Sequence, residues 1–129
     1  MPRLRNVESI SDSGDDSSGP EEAVAVSKLE GRKDDTGKIR MDLLDPYAIE
    51  TLAQVLTFGA KKYAAWNWAS GIPYSRITAA LLRHTFAFLK GEDNDPESGL
   101  PHIAHAMCCC MFILGLSQRK PESDDRGTN

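Results

Sequence analysis

The sequence of 129 residues has only three cysteines, no long apolar run and no excess of basic residues. The cysteines are adjacent, from Cys108 to Cys110, so they offer no disulfide framework and are typical of a reducing compartment. No stretch reaches the roughly 18 apolar residues of a membrane span, and the first ten residues lack the apolar segment of a secretory signal. The sequence therefore predicts a cytoplasmic protein without a membrane partner.

Acidic residues outnumber basic residues by 19 to 15, which argues against a general nucleic-acid-binding protein. Six acids and two arginines lie in residues 1–23, so this segment accounts for the net charge of −4. Its composition, rich in Ser, Asp and Gly, predicts disorder over residues 1–24, and residues 118–129 are expected to fray for the same reason. One domain is then left, over residues 25–117.

Apolar residues at helical spacing predict two helices in the first part of this domain. The first is predicted over residues 46–64, with Asp45 as its N-cap and a proline at its first position. The second is expected to begin at Tyr74 or Ser75 and to stop at Gly91, a residue suited to the position after a helix.

A third helix is predicted over about residues 100–116, with Ser98 or Gly99 as its cap. Only His105 is clearly polar between residues 103 and 116, so this helix is apolar on nearly all sides yet too short to cross a bilayer. Two other helices of a small chain cover such a surface incompletely. The sequence therefore predicts an all-α fold, a compact three-helix core with a basic N-terminal segment and disordered termini, which assembles into a homo-oligomer.

An acidic loop between the second and third helices is the strongest chemical signal. Within six residues it holds four carboxylates, Glu92, Asp93, Asp95 and Glu97. Carboxylates this close repel one another unless a cation neutralises them, and Mg²⁺ prefers such oxygen ligands. Antiparallel pairing of the two helices would bring all the histidines of the chain to this loop: His84, His102 and His105.

Two alternatives to a magnesium site stay open. His102, His105 and Cys109 share one helical stripe and suit a zinc site, although thiols in apolar helices usually behave as small apolar groups. The second alternative has no metal: the loop is then only a solvated turn, and the histidines are hydrogen-bonded core residues.

Basic and aromatic residues indicate a ligand with phosphates and a base. Lys38 and Arg40 lie next to a glycine turn and can hold phosphate oxygens, and Lys62 adds to the same positive field. The spacing of a Walker loop is absent. Both tryptophans lie in a short run that can stack on a base or cap the core: Tyr63, Trp66, Asn67 and Trp68.

Several strings resemble, in order, the N-terminal domain of phage dATP/dGTP diphosphohydrolases: KDDTGKIRMDLL, VLTFGAKKYAAWNW, GIPYSRI, LLRHTFAFLKGED and DPESGLPHIAHA. The resemblance covers about residues 33–116. It implies a helical domain acting on purine deoxynucleotides, similar in style to MazG-type pyrophosphohydrolases, which hold Mg²⁺ with ExxE and ExxD pairs on facing helices. Here Glu50 has Ala53 three residues on, and Glu92 and Asp95 form an ExxD pair in a loop. A metal shell would therefore mix histidines with carboxylates.

The first hypothesis is a metal-dependent enzyme that converts a purine deoxynucleoside triphosphate to the monophosphate and pyrophosphate in the host cytoplasm. Mg²⁺ or Mn²⁺ would be held by Glu92, Asp95, Glu97 and His105, with His84 or His102 as general base. The nucleotide would be bound by Lys38, Arg40, Lys62, Tyr63 and Trp68.

The alternative hypothesis is a module that binds or sequesters a nucleotide without turnover. A purely structural phage protein is the third hypothesis.

Overall fold

The computed structural model describes residues 29–127, which are helical and contain no strand. This confirms the predicted all-α class; the predicted disorder of residues 1–24 lies outside the described residues. The three main helices are α1 (Pro46–Lys62), α2 (Tyr74–Leu89) and α3 (His102–Arg119). Short 3-10 helices occupy Met41–Leu43, Asn67–Ser70 and Pro121–Ser123. None of the described helices is long and apolar enough to cross a membrane.

Residues 29–39 belong to a unit separate from residues 40–127. Their main feature is a turn in which the Lys38 backbone N–H donates to the Asp35 carbonyl at 3.1 Å. Gly37 occupies this turn with a φ of 78°, a conformation that glycine adopts without steric cost. The glycine turn that the sequence predicts before Lys38 is therefore present.

The beginning of α1 follows the sequence prediction. The Asp45 carboxylate accepts a hydrogen bond from the Ala48 backbone N–H at 2.9 Å, and Pro46 takes the first helical position. The helix ends at Lys62, two residues before the predicted end, where the Tyr63 N–H still bonds to the Gly59 carbonyl. The chain then turns through Trp66, whose φ of 64° breaks the helical path.

The C-terminal segment makes contacts with the start of α2. Residue Pro73 at the N-cap of α2 has no capping side chain, and Asp125 supplies the cap instead: its carboxylate accepts from the backbone N–H and the hydroxyl of Ser75. Ser123 is buried as well. Asp125 thus satisfies the free N–H of Ser75 at the start of α2, and the fraying expected of residues 118–129 stays a prediction.

Helix α3 packs between the other two helices. One apolar cluster joins it to α2 and contains Tyr74, Ile77, Cys109 and Leu116; another joins it to α1 and contains Val55, Ala104 and Cys108. The helix begins at His102, after Pro101 rather than after a Ser98 or Gly99 cap, and runs three residues beyond Leu116. Ile103 and Leu114 remain 49% and 72% exposed on the face that neither helix covers.

Trp68 closes the far end of this core. Its ring stacks on Phe112 with a centroid separation of 5.0 Å, and its edge lies over Gly115 of α3. A Cβ atom at Gly115 would approach Cη2 of Trp68 to 2.6 Å. Glycine at this position therefore allows the indole to lie directly on the helix backbone.

We expect Gly115→Ala to lower the free energy of unfolding by about 1–3 kcal/mol, because the added methyl displaces a packed indole. Gly59→Ala is the matched control in α1, since a Cβ there meets nothing within 4 Å. The control should raise stability by about 0.5–1 kcal/mol through helix propensity. Chemical denaturation followed by circular dichroism measures both, and a Gly115→Ala protein as stable as the control would contradict the packing described here.

Candidate functional site

The three histidines meet where α2 packs against the first turns of α3. Nδ1 of His84 lies 2.9 Å from Nδ1 of His102. The ring of His105 stacks on that of His84, with centroids 4.5 Å apart and an interplanar angle of 10°. Position 105 is one helical turn from position 102, so the antiparallel pairing of α2 and α3 presents both α3 imidazoles to His84.

The acidic loop folds back onto this cluster because it is held by its own hydrogen bonds. The Asp95 backbone N–H donates to the Leu100 carbonyl at 2.8 Å, and the His102 N–H donates to the Asp93 carbonyl at 2.8 Å. The Asp95 carboxylate accepts from the backbone N–H and the hydroxyl of Ser98, at 3.2 and 3.1 Å. The loop therefore delivers its carboxylates from a fixed backbone at the start of α3.

Two partners define the protonation of the α3 histidines. The Glu92 carboxylate lies 2.7 Å from Nε2 of His102 and accepts a hydrogen bond from the N–H of this nitrogen. The Ser98 hydroxyl, which donates to Asp95, lies 2.7 Å from Nε2 of His105 and accepts a hydrogen bond from its N–H. In the neutral form of each ring the lone pair is then on Nδ1, and that of His102 faces His84.

Burial lowers the pKa of His84, and the neighbouring His105 lowers it further, against an opposing effect of Asp95. Burial likewise lowers the pKa of His105, although Asp95 opposes the change. Burial by itself would raise the pKa of Asp95, but the two hydrogen bonds from Ser98, together with the imidazoles, hold it below its ordinary value. These directions favour the neutral imidazoles of His84 and His105 beside the ionised carboxylate of Asp95.

This arrangement offers donor atoms for a divalent cation. His84, Asp95 and His102 each present a ligand atom, and the three atoms lie within 4.8 Å of one another. His102 is buried, and the Asp95 side chain is 16% exposed. Neutral imidazole nitrogens and carboxylate oxygens are the atoms that bind first-row divalent metals, so the residues fit such an ion.

Lysine and aromatic groups lie at the outer side of the acidic loop. Nζ of Lys62, at the end of α1, pairs with Glu97 at 2.7 Å and stands 5.4 Å from the centre of the Tyr63 ring. The Tyr63 side chain is exposed. The pair places a cation and an aromatic ring beside the loop that carries Asp95.

Of the residues that the sequence proposes for metal, the structure brings Glu92, Asp95 and His105 to the cluster and directs Glu97 to Lys62. His84 and His102, proposed as bases, stand at its centre. Their roles stay predictions. Ser98, predicted only as a helix cap, is the site residue that sequence reasoning missed. The signal for it was its position three residues after Asp95, a spacing typical of a side-chain-capped turn.

The remaining predicted site residues have contacts of their own or belong to the other unit. Trp68 packs on Phe112, which is about 15 Å along α3 from His102 at 1.5 Å per residue. The Arg40 guanidinium makes two bonds to the Asp42 carboxylate, at 2.9 and 2.8 Å. Lys38 belongs to the separate unit. Cys109, the alternative zinc ligand, is a member of the apolar cluster between α2 and α3.

Fold and site together define a helical domain with a histidine and carboxylate cluster. Comparison with known proteins identifies its family: residues 28–126 match the family dATP/dGTP diphosphohydrolase, N-terminal. The chain belongs to this family, which confirms the resemblance seen in its sequence. It is 42% identical over 98 residues to a protein of Salmonella phage PMBT28 named dATP/dGTP diphosphohydrolase. That match covers 76% of this chain and 33% of the relative. No solved structure gives a significant match.

Proposed function

We propose that this chain binds a purine deoxynucleoside triphosphate and, with Mg²⁺ or Mn²⁺, hydrolyses it to the monophosphate and pyrophosphate. The observation that carries the proposal is the meeting of three histidines with Asp95 and Glu92 at one place in a family named for this activity. A bound divalent ion would polarise a phosphoryl oxygen and lower the pKa of a water molecule. The relative comes from a phage, so the host cytoplasm is the proposed location.

The residues of the chain supply the remaining parts of the chemistry. Asp95 is ionised and held by Ser98, so its carboxylate already lies beside the imidazoles, where a cation would bind. A neutral imidazole that is not bound to the metal can accept a proton from the attacking water. Lys62 can leave Glu97 to contact a phosphate, and the exposed Tyr63 ring beside it can stack on the base.

A second candidate function is nucleotide binding without turnover. It is favoured by the 33% coverage of the phage relative, because the activity named for that protein can depend on residues that this match does not include. The same cluster and the same lysine would then hold a nucleotide. Product analysis separates the two functions, since only the enzyme releases pyrophosphate.

The direct test is incubation of the protein with each deoxynucleoside triphosphate and Mg²⁺ or Mn²⁺, followed by chromatography of the products. We expect monophosphate and pyrophosphate from dATP and dGTP. Asp95→Asn and His84→Ala should each reduce the rate at least 100-fold, because each removes a group from the cluster. Glu50→Gln, an exposed acid on α1, should keep the full rate. Intact triphosphates with a nucleotide-dependent rise in melting temperature would instead establish the binding module.

Lys62 provides a test of phosphate binding. We expect Lys62→Met to raise KM for dATP about 10-fold, the effect of losing roughly 1.4 kcal/mol of binding. Stability should hardly change, because an exposed ion pair such as that with Glu97 contributes little to folding. The neighbouring exposed residue Lys61 gives the matched control, Lys61→Met. Equal KM values for the two variants would exclude Lys62 from the binding site.

We also propose that a second copy of the chain covers an apolar face of the α2 and α3 pair. Leu82, Phe86 and Leu89 form an exposed stripe on α2, about 140° around the helix from the residues that contact α3. Ile103, Cys110 and Leu114 form the corresponding exposed stripe on α3, about 120° from the contact with α2. Each stripe lies at a similar angle around its own helix from the contact between α2 and α3. Because the two helices run antiparallel, both stripes then lie on the same side of the helix pair.

The size and charge of this face suit a second copy. Its five large side chains expose roughly 500 Å² of apolar surface, about what one partner contributes to an interface of standard size. No charged residue interrupts α3 between His102 and Gln118. An uncharged apolar face is self-complementary, as a twofold interface requires.

Light scattering should give at least a dimer for the wild type and a monomer for Leu114→Glu. Leu43→Glu is the control, because Leu43 is equally exposed, at 72%, but lies outside this face. Alkylation gives a second reading: Cys110 should react faster in the Leu114→Glu monomer than in the wild type. Burial raises the pKa of Cys108 to about 12 and that of Cys109 to about 11, so both stay slow in either protein. A wild-type monomer with a rapidly alkylated Cys110 would exclude the assembly.

A further inference from the structure

We propose that His84, His102 and Asp95 are the direct ligands of one divalent ion, that Glu92 orients His102 from outside, and that the site selects Mn²⁺ or Zn²⁺ over Mg²⁺. This ligand set differs from the one that the sequence predicts, in which Glu92 and Glu97 bind the metal themselves. The inference rests on the proposed function only for the use of the ion in hydrolysis.

The distance between the two imidazoles fits a shared ion. A metal–nitrogen bond is about 2.1 Å long, so two nitrogens 2.9 Å apart subtend an angle of about 90° at a common ion. That is the angle between neighbouring ligands in octahedral coordination, which Mn²⁺ and Mg²⁺ both adopt, so the angle fits a shared ion and the ligand atoms decide which ion is favoured. A carboxylate oxygen of Asp95 lies within 4.8 Å of the imidazole ligand atoms, so small side-chain rotations complete a facial set of three.

Glu92 has the position of an outer carboxylate. Metal-bound histidines usually donate their second ring N–H to a carboxylate, which fixes the tautomer and makes the ligand nitrogen more basic. His102 does this: its Nε2 meets Glu92 at 2.7 Å while its Nδ1 faces His84. The Glu92 side chain is 53% exposed, whereas that of His102 is 5% exposed, so the carboxylate approaches from the solvent side of a buried ring.

His105 and Glu97 have other partners. Nε2 of His105 is 2.7 Å from the Ser98 hydroxyl and 3.6 Å from Asp95, so this ring braces the carboxylate that binds the ion. Glu97 pairs with Lys62. These contacts make His105 a positioning residue and separate Glu97 from the ligand set.

The ligand atoms determine which ion is favoured. Mg²⁺ prefers oxygen ligands and keeps several waters, whereas imidazole nitrogen suits zinc and the later first-row ions; Mn²⁺, the weakest-binding ion of the first-row affinity order, lies between the two. Two nitrogens and one carboxylate therefore favour a first-row ion. The negative charges of Asp95 and the outer Glu92 together balance a divalent cation.

The test is direct metal binding to the full chain after treatment with EDTA, without nucleotide. Calorimetry with Mn²⁺ and with Zn²⁺ should give one site per chain, and binding of Mg²⁺ should be at least 100-fold weaker. His102→Ala and Asp95→Asn should each weaken Mn²⁺ binding at least 100-fold, and Glu92→Gln by about 10- to 100-fold. Glu97→Gln should bind Mn²⁺ as the wild type does. Circular dichroism of each variant verifies that the helices are intact.

Mn²⁺ affinity that falls with Glu97→Gln but not with His102→Ala would overturn the assignment in favour of the carboxylate loop, and so would equal affinity for Mg²⁺ and Mn²⁺. Absence of any binding would overturn it as well, and would identify the His84 and His102 contact as a hydrogen bond. Metal binding as predicted with no nucleotide turnover would support the centre and contradict the proposed hydrolase. Turnover with Mg²⁺ that survives His102→Ala would support the proposed hydrolase and contradict the metal centre.

Discussion

The contact between the imidazoles of His84 and His102 is the constraint on which the site depends. Two Nδ1 atoms 2.9 Å apart require either a proton or a cation between them. Glu92 accepts a hydrogen bond from the N–H of the opposite nitrogen, Nε2 of His102, so Nδ1 of this ring offers a lone pair to the proton or cation between the two rings. A structural hydrogen bond and the proposed metal centre would therefore use the same atoms, and the neighbouring carboxylates of Asp95 and Glu92 are the reason for proposing the metal.

The helix packing that creates this contact also explains the unusual apolar character of α3. One face of the helix contacts α2 through Ile77 and Leu116, and another contacts α1 through Val55. Packing on two sides requires apolar residues over much of the circumference of α3, and its first turns present His102 and His105 to α2. The histidine cluster is thus anchored at the end of the most deeply buried element, a rigid setting in which ligand positions are retained.

The sequence predicts the helices well because their signals are local. Asp45 and Pro46 mark the start of α1, and helical spacing together with Gly91 marks the length of α2. The cap of α2 is different: it comes from Asp125, 50 residues away, so no local pattern reveals it. The same limit explains the C-terminal segment, whose polar composition is typical of a frayed end although its residues complete the fold.

In the candidate site, too, the sequence predicts what local patterns determine and misses the contacts between distant residues. Convergence of the histidines follows from two antiparallel helices, but the partners of each carboxylate do not. Glu97 is near the histidines in sequence, yet its side chain pairs with Lys62, 35 residues earlier, and Glu92 reaches His102 from the outside. Trp68, an attractive base-stacking candidate, serves the core because Gly115 leaves room for its ring on α3.

Nitrogen NMR of protein labelled with ¹⁵N in its histidine rings is the most direct test of this account, because it observes each ring nitrogen separately. On titration with Zn²⁺, the Nδ1 resonances of His84 and His102 should shift together at one equivalent, while Nε2 of His102 remains protonated by its bond to Glu92. A titration that moves neither Nδ1, or that moves only His105, would contradict the account.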